Sequence, residues 1–219
     1  MKNWMWAVVI LGASVLGFLV LIVMSSGSSP ARFDETSARR AGGGPALVFD
    51  AAEWLRGATT STVTLAEYSD FQCPACGAWE PQLQEIVRDY GERIRFIYRH
   101  FPLPQHAQAE LAAYASEAAG LQGKFWEMHD VIFERQRDWA DNRNARDIFM
   151  DAARTLGLDM AKFANDLDSD TVRSEVDKDK KSGLAAQVNA TPTFFVNSVK
   201  VEPRSSAELR AFLDDALAP

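Results

Sequence analysis

The 219-residue chain has little of three things on which much protein chemistry depends. It holds two cysteines and three histidines, and its basic side chains are outnumbered, 23 Lys and Arg against 30 Asp and Glu. The net charge of −7 excludes the broad basic face that binding nucleic acid needs. There is no glycine-rich phosphate loop and no paired-histidine zinc motif, so the commonest nucleotide and metal signatures are missing. No internal repeat occurs, and the one low-complexity piece is a short run of small residues near the start. What is present is ordinary for a globular protein, 47% hydrophobic and 24% charged, enough to bury a core.

Both cysteines fall in one stretch, FQCPACGAW (71–79), as Cys73 and Cys76. As a staple they would add little, because closing so short a loop removes little unfolded-state entropy. The spacing therefore points to chemistry: a redox pair, half of a metal site, or two inert thiols. The context favours the first. TVTLAEY (62–68) reads as a buried strand, and Trp79, Leu83, Ile86, Val87 and Tyr90 give a helical stripe just beyond the cysteines. Cys73 thus stands where a strand passes into a helix, with Pro74 in the first turn, where a missing N–H costs nothing. The unpaired N–H groups and positive dipole end of that helix favour a thiolate at Cys73. Cys76 lies one turn on, placed to attack a mixed disulfide formed at Cys73. Half a zinc site would need two further ligands, and His100, His106 and His129 form no paired motif. His129, on an apolar helical face, reads as a half-buried core residue.

Trp4 to Met24 carries no charge. As a helix it would be roughly 30 Å long, about one hydrocarbon thickness. A cleaved signal sequence usually has a shorter apolar region and a small-x-small cleavage site, and the sites near Ser25–Gly27 are poor. Residues 1–24 are therefore read as a membrane anchor, with a signal sequence as the alternative. No cysteine stands directly after the run, which excludes a lipoprotein anchor. Lys2 precedes it and Arg32, Arg39 and Arg40 follow, so the positive-inside count leans mildly against export. Residues 25–45, rich in Ser, Gly and Ala, read as a flexible tether, and the folded domain as 46–219.

Within that domain ALVF (46–49) is a strand candidate, and Asp50 with Glu53 has the spacing that caps a helix start. Pro81 sits inside the helix after the cysteines and should kink it. IRFIYRH (94–100) alternates apolar residues with Arg95 and Arg99, as a half-buried strand does. A helical section spans about 104–189, with DKDKK (177–181) as a solvated face. TFFV and VKV, joined by Asn197-Ser198, read as a hairpin, and Ser205 with Glu208 as the capping box of a last helix. The fold class is α/β, a mixed sheet with a helical insertion.

SDFQCPACGAW with its preceding strand, Pro81, HFPLPQHAQAE, GKFWEMHD and ATPTFFVN together resemble the DsbA-like thiol:disulfide oxidoreductases, from about residue 60 to the end. The resemblance implies a thioredoxin-like sheet with an inserted helical domain. It implies a cis-proline at Pro192, facing the cysteines, with Thr191, Pro192, Pro74 and Ala75 meeting the substrate. It also implies export, which outweighs the charge count: a catalytic domain on the extracytoplasmic side of the cell membrane, anchored by one helix, without a cofactor beyond the Cys73–Cys76 disulfide. Its expected work is to donate that disulfide to reduced exported proteins and to be reoxidised by a membrane redox partner. Reductase or isomerase activity is the alternative within the fold, and a non-catalytic metal-delivery module using both thiols the alternative outside it. No extra dimerisation domain fits before residue 46, so a monomer is expected. Glu67, six residues before Cys73 and in phase with Val63 and Leu65, matches an acid that in many such proteins moves a proton at the second cysteine. Burial would raise its pKa. The alternative is a solvated glutamate at a strand end.

Overall fold

A computed structural model describes Leu47, Phe49 and residues 53–218. The hydrophobic run, the tether and most of ALVF lie outside the described residues, and neither Leu47 nor Phe49 is in a strand. Among the described residues no helix is long and apolar enough to cross a membrane.

The frame is a β-α-β unit. Strand β2 (Val63–Ser69) leads into helix α1 (Pro74–Tyr90), which returns through a short 3-10 turn to β3 (Ile94–His100). The two strands pair in parallel, Glu67 opposite Tyr98. β1 (Trp54–Gly57) joins the far side of β3 antiparallel. β4 (Thr193–Val196) joins the far side of β2 antiparallel, and β5 (Val199–Val201) closes the edge, giving the order β1-β3-β2-β4-β5. Asn197 and Ser198 both take positive φ, +48° and +69°, the geometry of a tight two-residue hairpin turn.

Between β3 and β4 lie α2 (Ala109–Gly120), α3 (Phe125–Glu134), α4 (Gln136–Trp139), α5 (Ala145–Thr155), α6 (Met160–Leu167) and α7 (Asp170–Ala185). α8 (Ser206–Leu217) ends the fold, its first turn capped by the Ser205 hydroxyl accepting from the Glu208 N–H. One core joins α1, α8 and the inserted helices to the sheet face that carries Leu65, Phe96 and Phe194. A smaller core covers the opposite face, where Ala66, Tyr68, Ile97 and Phe195 meet Phe101 and Val188. α7 reaches that face through Gly183, where an added Cβ would lie 2.6 Å from the Phe101 ring.

Several expectations are corrected. The capping signal at Asp50–Glu53 starts no helix: Trp54–Gly57 is a strand. Long-range pairing wins because β3 would otherwise expose an open edge, and β1 brings strong side-chain anchors with it. Trp54 stacks on Phe125 at 4.2 Å and donates to Glu117 at 2.6 Å. Arg99, which alternates with apolar residues along β3, is buried as they are. A strand covered on both faces buries both sets of side chains, and Arg99 is held there by Glu53 at 2.6 Å and by the Tyr68 hydroxyl at 2.8 Å. Asp179, within DKDKK, turns inward and accepts the His100 N–H at 2.9 Å. His129 is fully rather than half buried, enclosed by Phe71, Phe125, Trp126 and Phe133. Pro81 does lie inside the helix after the cysteines, which continues past it to Tyr90.

Candidate active site

Cys73 is the residue before the first turn of α1, in extended conformation (φ −68°, ψ 121°), and Pro74 opens the helix. The sequence forces this geometry, since proline tolerates the first helical position and pushes its predecessor out of helical conformation. Cys73 and Cys76 are both free thiols, 6% and 1% exposed. Pro74 and Ala75 between them are exposed. Opposite stands the Thr191–Pro192 peptide, which is cis, and the Cys73 thiol donates to the Thr191 carbonyl at 3.4 Å.

The two sulfurs are electrostatically unlike. The Cys73 pKa falls to about 5. A hydrogen bond from the Cys76 thiol is the largest cause. It prevails over burial, helped by the Thr191 side chain and the N–H groups of Cys76 and Ala75. The Thr191 hydroxyl is buried and otherwise lacks a hydrogen-bond partner, so it is available to the thiolate once that forms. Burial pushes the Cys76 thiol well up, reinforced by its bond to Cys73 and by the charge of Glu67.

Glu67 lies beneath Cys76, 1% exposed. Burial first, then the nearby Glu80, raise its pKa from 4.5 to about 8, against a hydrogen bond from Ser69. Ser69 donates to Glu67 Oε1 at 2.7 Å, while Oε2 has no partner. The solvated strand-end reading of Glu67 is therefore wrong. Ser69 also comes near Cys76 and the Tyr98 hydroxyl. The Tyr98 hydroxyl itself is buried and makes no hydrogen bond to a protein group.

The inserted helices hold the loop that carries Cys73. Gln136 donates to the carbonyls of Phe71 and Cys73 at 2.7 and 2.9 Å. Asp70, fully buried, accepts from the Gln72 and Leu103 N–H groups and pairs with His106 at 2.7 Å. Sequence reasoning missed Ser69, Glu80, Asp70 and Gln136. The first two carry a signal: Ser69 shares a strand face with Glu67, and Glu80 lies one helical turn past Cys76. Gln136 carries none, because only the folding of the insertion brings it here. His100 bonds Glu117 at 3.0 Å, away from the sulfurs. Among the described residues, the side chains grouped closely enough to share a cation are Glu80, His129 and Asp130, without either cysteine.

Residues 50–215 match the thioredoxin family model. The chain belongs to the thioredoxin family. Within it, the architecture is that of the DsbA-like oxidoreductases. Oxidised BdbD from Bacillus subtilis superposes with a TM-score of 0.66 at 25% identity, covering 75% of this chain and 92% of that one. A thioredoxin-like oxidoreductase from Silicibacter pomeroyi (24%, TM-score 0.66, covering 76% and 93%) and α-DsbA1 from Wolbachia pipientis (20%, TM-score 0.68, covering 78% and 94%) share the fold. The curated relatives are of another kind. A Na(+)/H(+) antiporter NhaA 3 from Salinispora tropica is 37% identical over 172 residues, 75% of this chain and 26% of the antiporter. A Na(+)/H(+) antiporter NhaA from Herminiimonas arsenicoxydans is 39% identical over 146 residues, 65% of this chain and 22% of that protein. The chain thus spans about a quarter of the length of the curated relatives it matches.

These relatives correct the expected function. Donation of the Cys73–Cys76 disulfide to exported proteins does not stand as this chain's function when the relatives carrying this segment are named as antiporters. What the family and fold carry is coarser, a thiol–disulfide oxidoreductase of the DsbA-like type.

Proposed function

We propose that this domain performs dithiol–disulfide exchange with polypeptide partners, Cys73 being the sulfur that meets the partner and Cys76 the one that resolves the intermediate. The asymmetry of the two sulfurs carries this reading: Cys73, beside exposed Pro74 and Ala75, has its pKa at about 5, while Cys76 is buried with its pKa raised. A low-pKa sulfur is the better leaving group. In a mixed disulfide between Cys73 and a partner, the Cys76 thiol gives its proton to the Glu67 carboxylate. The Cys76 thiolate then attacks Cys73 Sγ, forms the internal disulfide and releases the partner thiolate. In reverse, a partner thiolate attacks Cys73 Sγ, Cys76 leaves, and Glu67 returns the proton. The Thr191 backbone offers an extended partner chain a place to pair beside the sulfur. The uncharged run Trp4–Met24, and the match of this domain to a quarter of several antiporters, support a place of work beside a membrane.

The test is trapping. Cys76→Ser, incubated with a disulfide-bonded peptide, should accumulate a covalent adduct through Cys73, visible by intact mass and lost on reduction. Cys73→Ser should form none. If both variants form adducts equally, the division of roles is wrong; if neither does and the parent does not exchange, so is the function.

A further inference from the structure

With its pKa raised to about 8, Glu67 must lose a proton before it can take one from Cys76, yet it is buried and its Oε2 has no protein partner. Two further buried polar atoms on the same side of the sheet share this condition, the Tyr98 hydroxyl and His129 Nε2. Their placement is not scattered. Tyr98 is the cross-strand partner of Glu67, and parallel partners present their side chains to the same face. The Tyr98 and His129 rings meet edge to face, centroids 4.6 Å apart. Buried polar groups without a partner are costly, and sites where several converge are commonly satisfied by a buried water.

We propose that His129 connects Glu67 to solvent: a buried water bridging Glu67 Oε2, the Tyr98 hydroxyl and His129 Nε2 passes the proton between Glu67 and the imidazole. This rests on the exchange chemistry assigned to Cys73 and Cys76 above. The other imidazole nitrogen points outward. His129 Nδ1 lies 2.9 Å from Asp130 Oδ1 and 3.9 Å from Glu80 Oε1. Both carboxylates thus face Nδ1, and Nε2 is the nitrogen left for the water. Asp130 is the exit, with its side chain 38% exposed and gripped by Arg56 through both oxygens. Burial works against its charge, but the hydrogen bonds from His129 and Arg56 prevail and hold its pKa below the usual range.

Each element around the imidazole contributes a titratable or charged group. α1 brings Glu80, β2 brings Glu67, β3 brings Tyr98 and His100, and α3 itself brings Asp130. β1 brings Arg56, on Asp130, and α2 brings Glu117, on His100. The Phe71, Phe125, Trp126 and Phe133 rings enclose the rest. When Cys76 gives its proton to Glu67, the acid passes one proton through the water to Nε2, and Nδ1 passes one to Asp130 and solvent. Glu67 is then a carboxylate again and the imidazole neutral, so the acceptor is restored for the next proton. His129 never touches a sulfur, so it is a positioning and proton-exchange residue.

The experiment uses the full chain, as parent, His129→Gln and Tyr98→Phe. Each reduced protein is mixed with oxidised glutathione and quenched in acid. Adduct formation at Cys73 and its resolution by Cys76 are followed separately by intact mass. Both variants should form the adduct at the parental rate and resolve it more slowly, by about a hundredfold, the lower end of what a positioned proton-transfer group contributes. The redox-difference infrared spectrum of Tyr98→Phe should also show a shifted carboxyl C=O band, assigned to Glu67 by its loss in Glu67→Gln. A role in packing alone would not move that band. Parental resolution rates in the folded variants, or an unmoved band, would overturn the proposal. If His129→Gln does not fold, Tyr98→Phe decides, since it removes one oxygen. Failure of the parent to form any adduct would instead strike the exchange function itself.

Discussion

Replacing Glu67 by Gln should make the protein more stable, and by an amount that depends on pH in a stated direction. Burial raises the Glu67 pKa from 4.5 to about 8. Below 4.5 the carboxyl is neutral in both the folded and unfolded chain, and it costs nothing as a charge. As pH rises from 4.5 towards 8, the unfolded chain loses its proton while the folded one keeps it, so stability falls. Above about 8 both states are ionised and the loss is complete. At about 1.4 kcal/mol per pH unit, the window from 4.5 to about 8 has a ceiling of roughly 5 kcal/mol, of which roughly 3 kcal/mol is already present at pH 7. Gln keeps the Ser69 hydrogen bond and cannot ionise. The assay is urea unfolding of the disulfide form, which removes the thiols' own titration, at intervals from about pH 4.5 to about pH 9. The difference between variant and parent should open steadily across that range and then level off. Parallel curves would mean that Glu67 is not a buried acid with a raised pKa, and the proton chemistry assigned to Cys76 would lose its acceptor.

Thr191→Val removes the hydroxyl that helps hold the Cys73 thiolate, so the Cys73 pKa should rise from about 5 while the far-UV spectrum stays unchanged. Thiolate absorbance during a pH titration of the reduced protein checks this, and an unmoved inflection would remove the hydroxyl from the account. Gln136→Ala should cost about 1–3 kcal/mol, because two carbonyls of the active-site loop lose their donor. Amide hydrogen exchange of residues 71–78 should quicken in the same variant, and unchanged protection would show that the loop holds itself.

Much of the site was legible in the sequence because local rules govern it. A proline after Cys73 can only open a helix or follow an extended residue, so the placement of Cys73 at a helix start follows from two residues. Cys76 one turn on, and the period-two phase of Val63, Leu65 and Glu67, follow from helix and strand geometry alone. The hairpin at Asn197-Ser198 and the cap at Ser205 are equally local. Tertiary structure decided what depends on partners distant in the chain. It made Trp54–Gly57 a strand against its capping signal, since an edge of β3 was open to it. It buried Arg99 and turned Asp179 inward from a run that read as solvated, because helices cover both faces of the central strands and supply partners for their charges. It set Thr191 against Cys73 across 118 residues and brought Gln136 from the insertion to the active-site loop. Local preferences fix which way a side chain points from its own element; only packing decides what it meets there, and with that its charge and its chemistry.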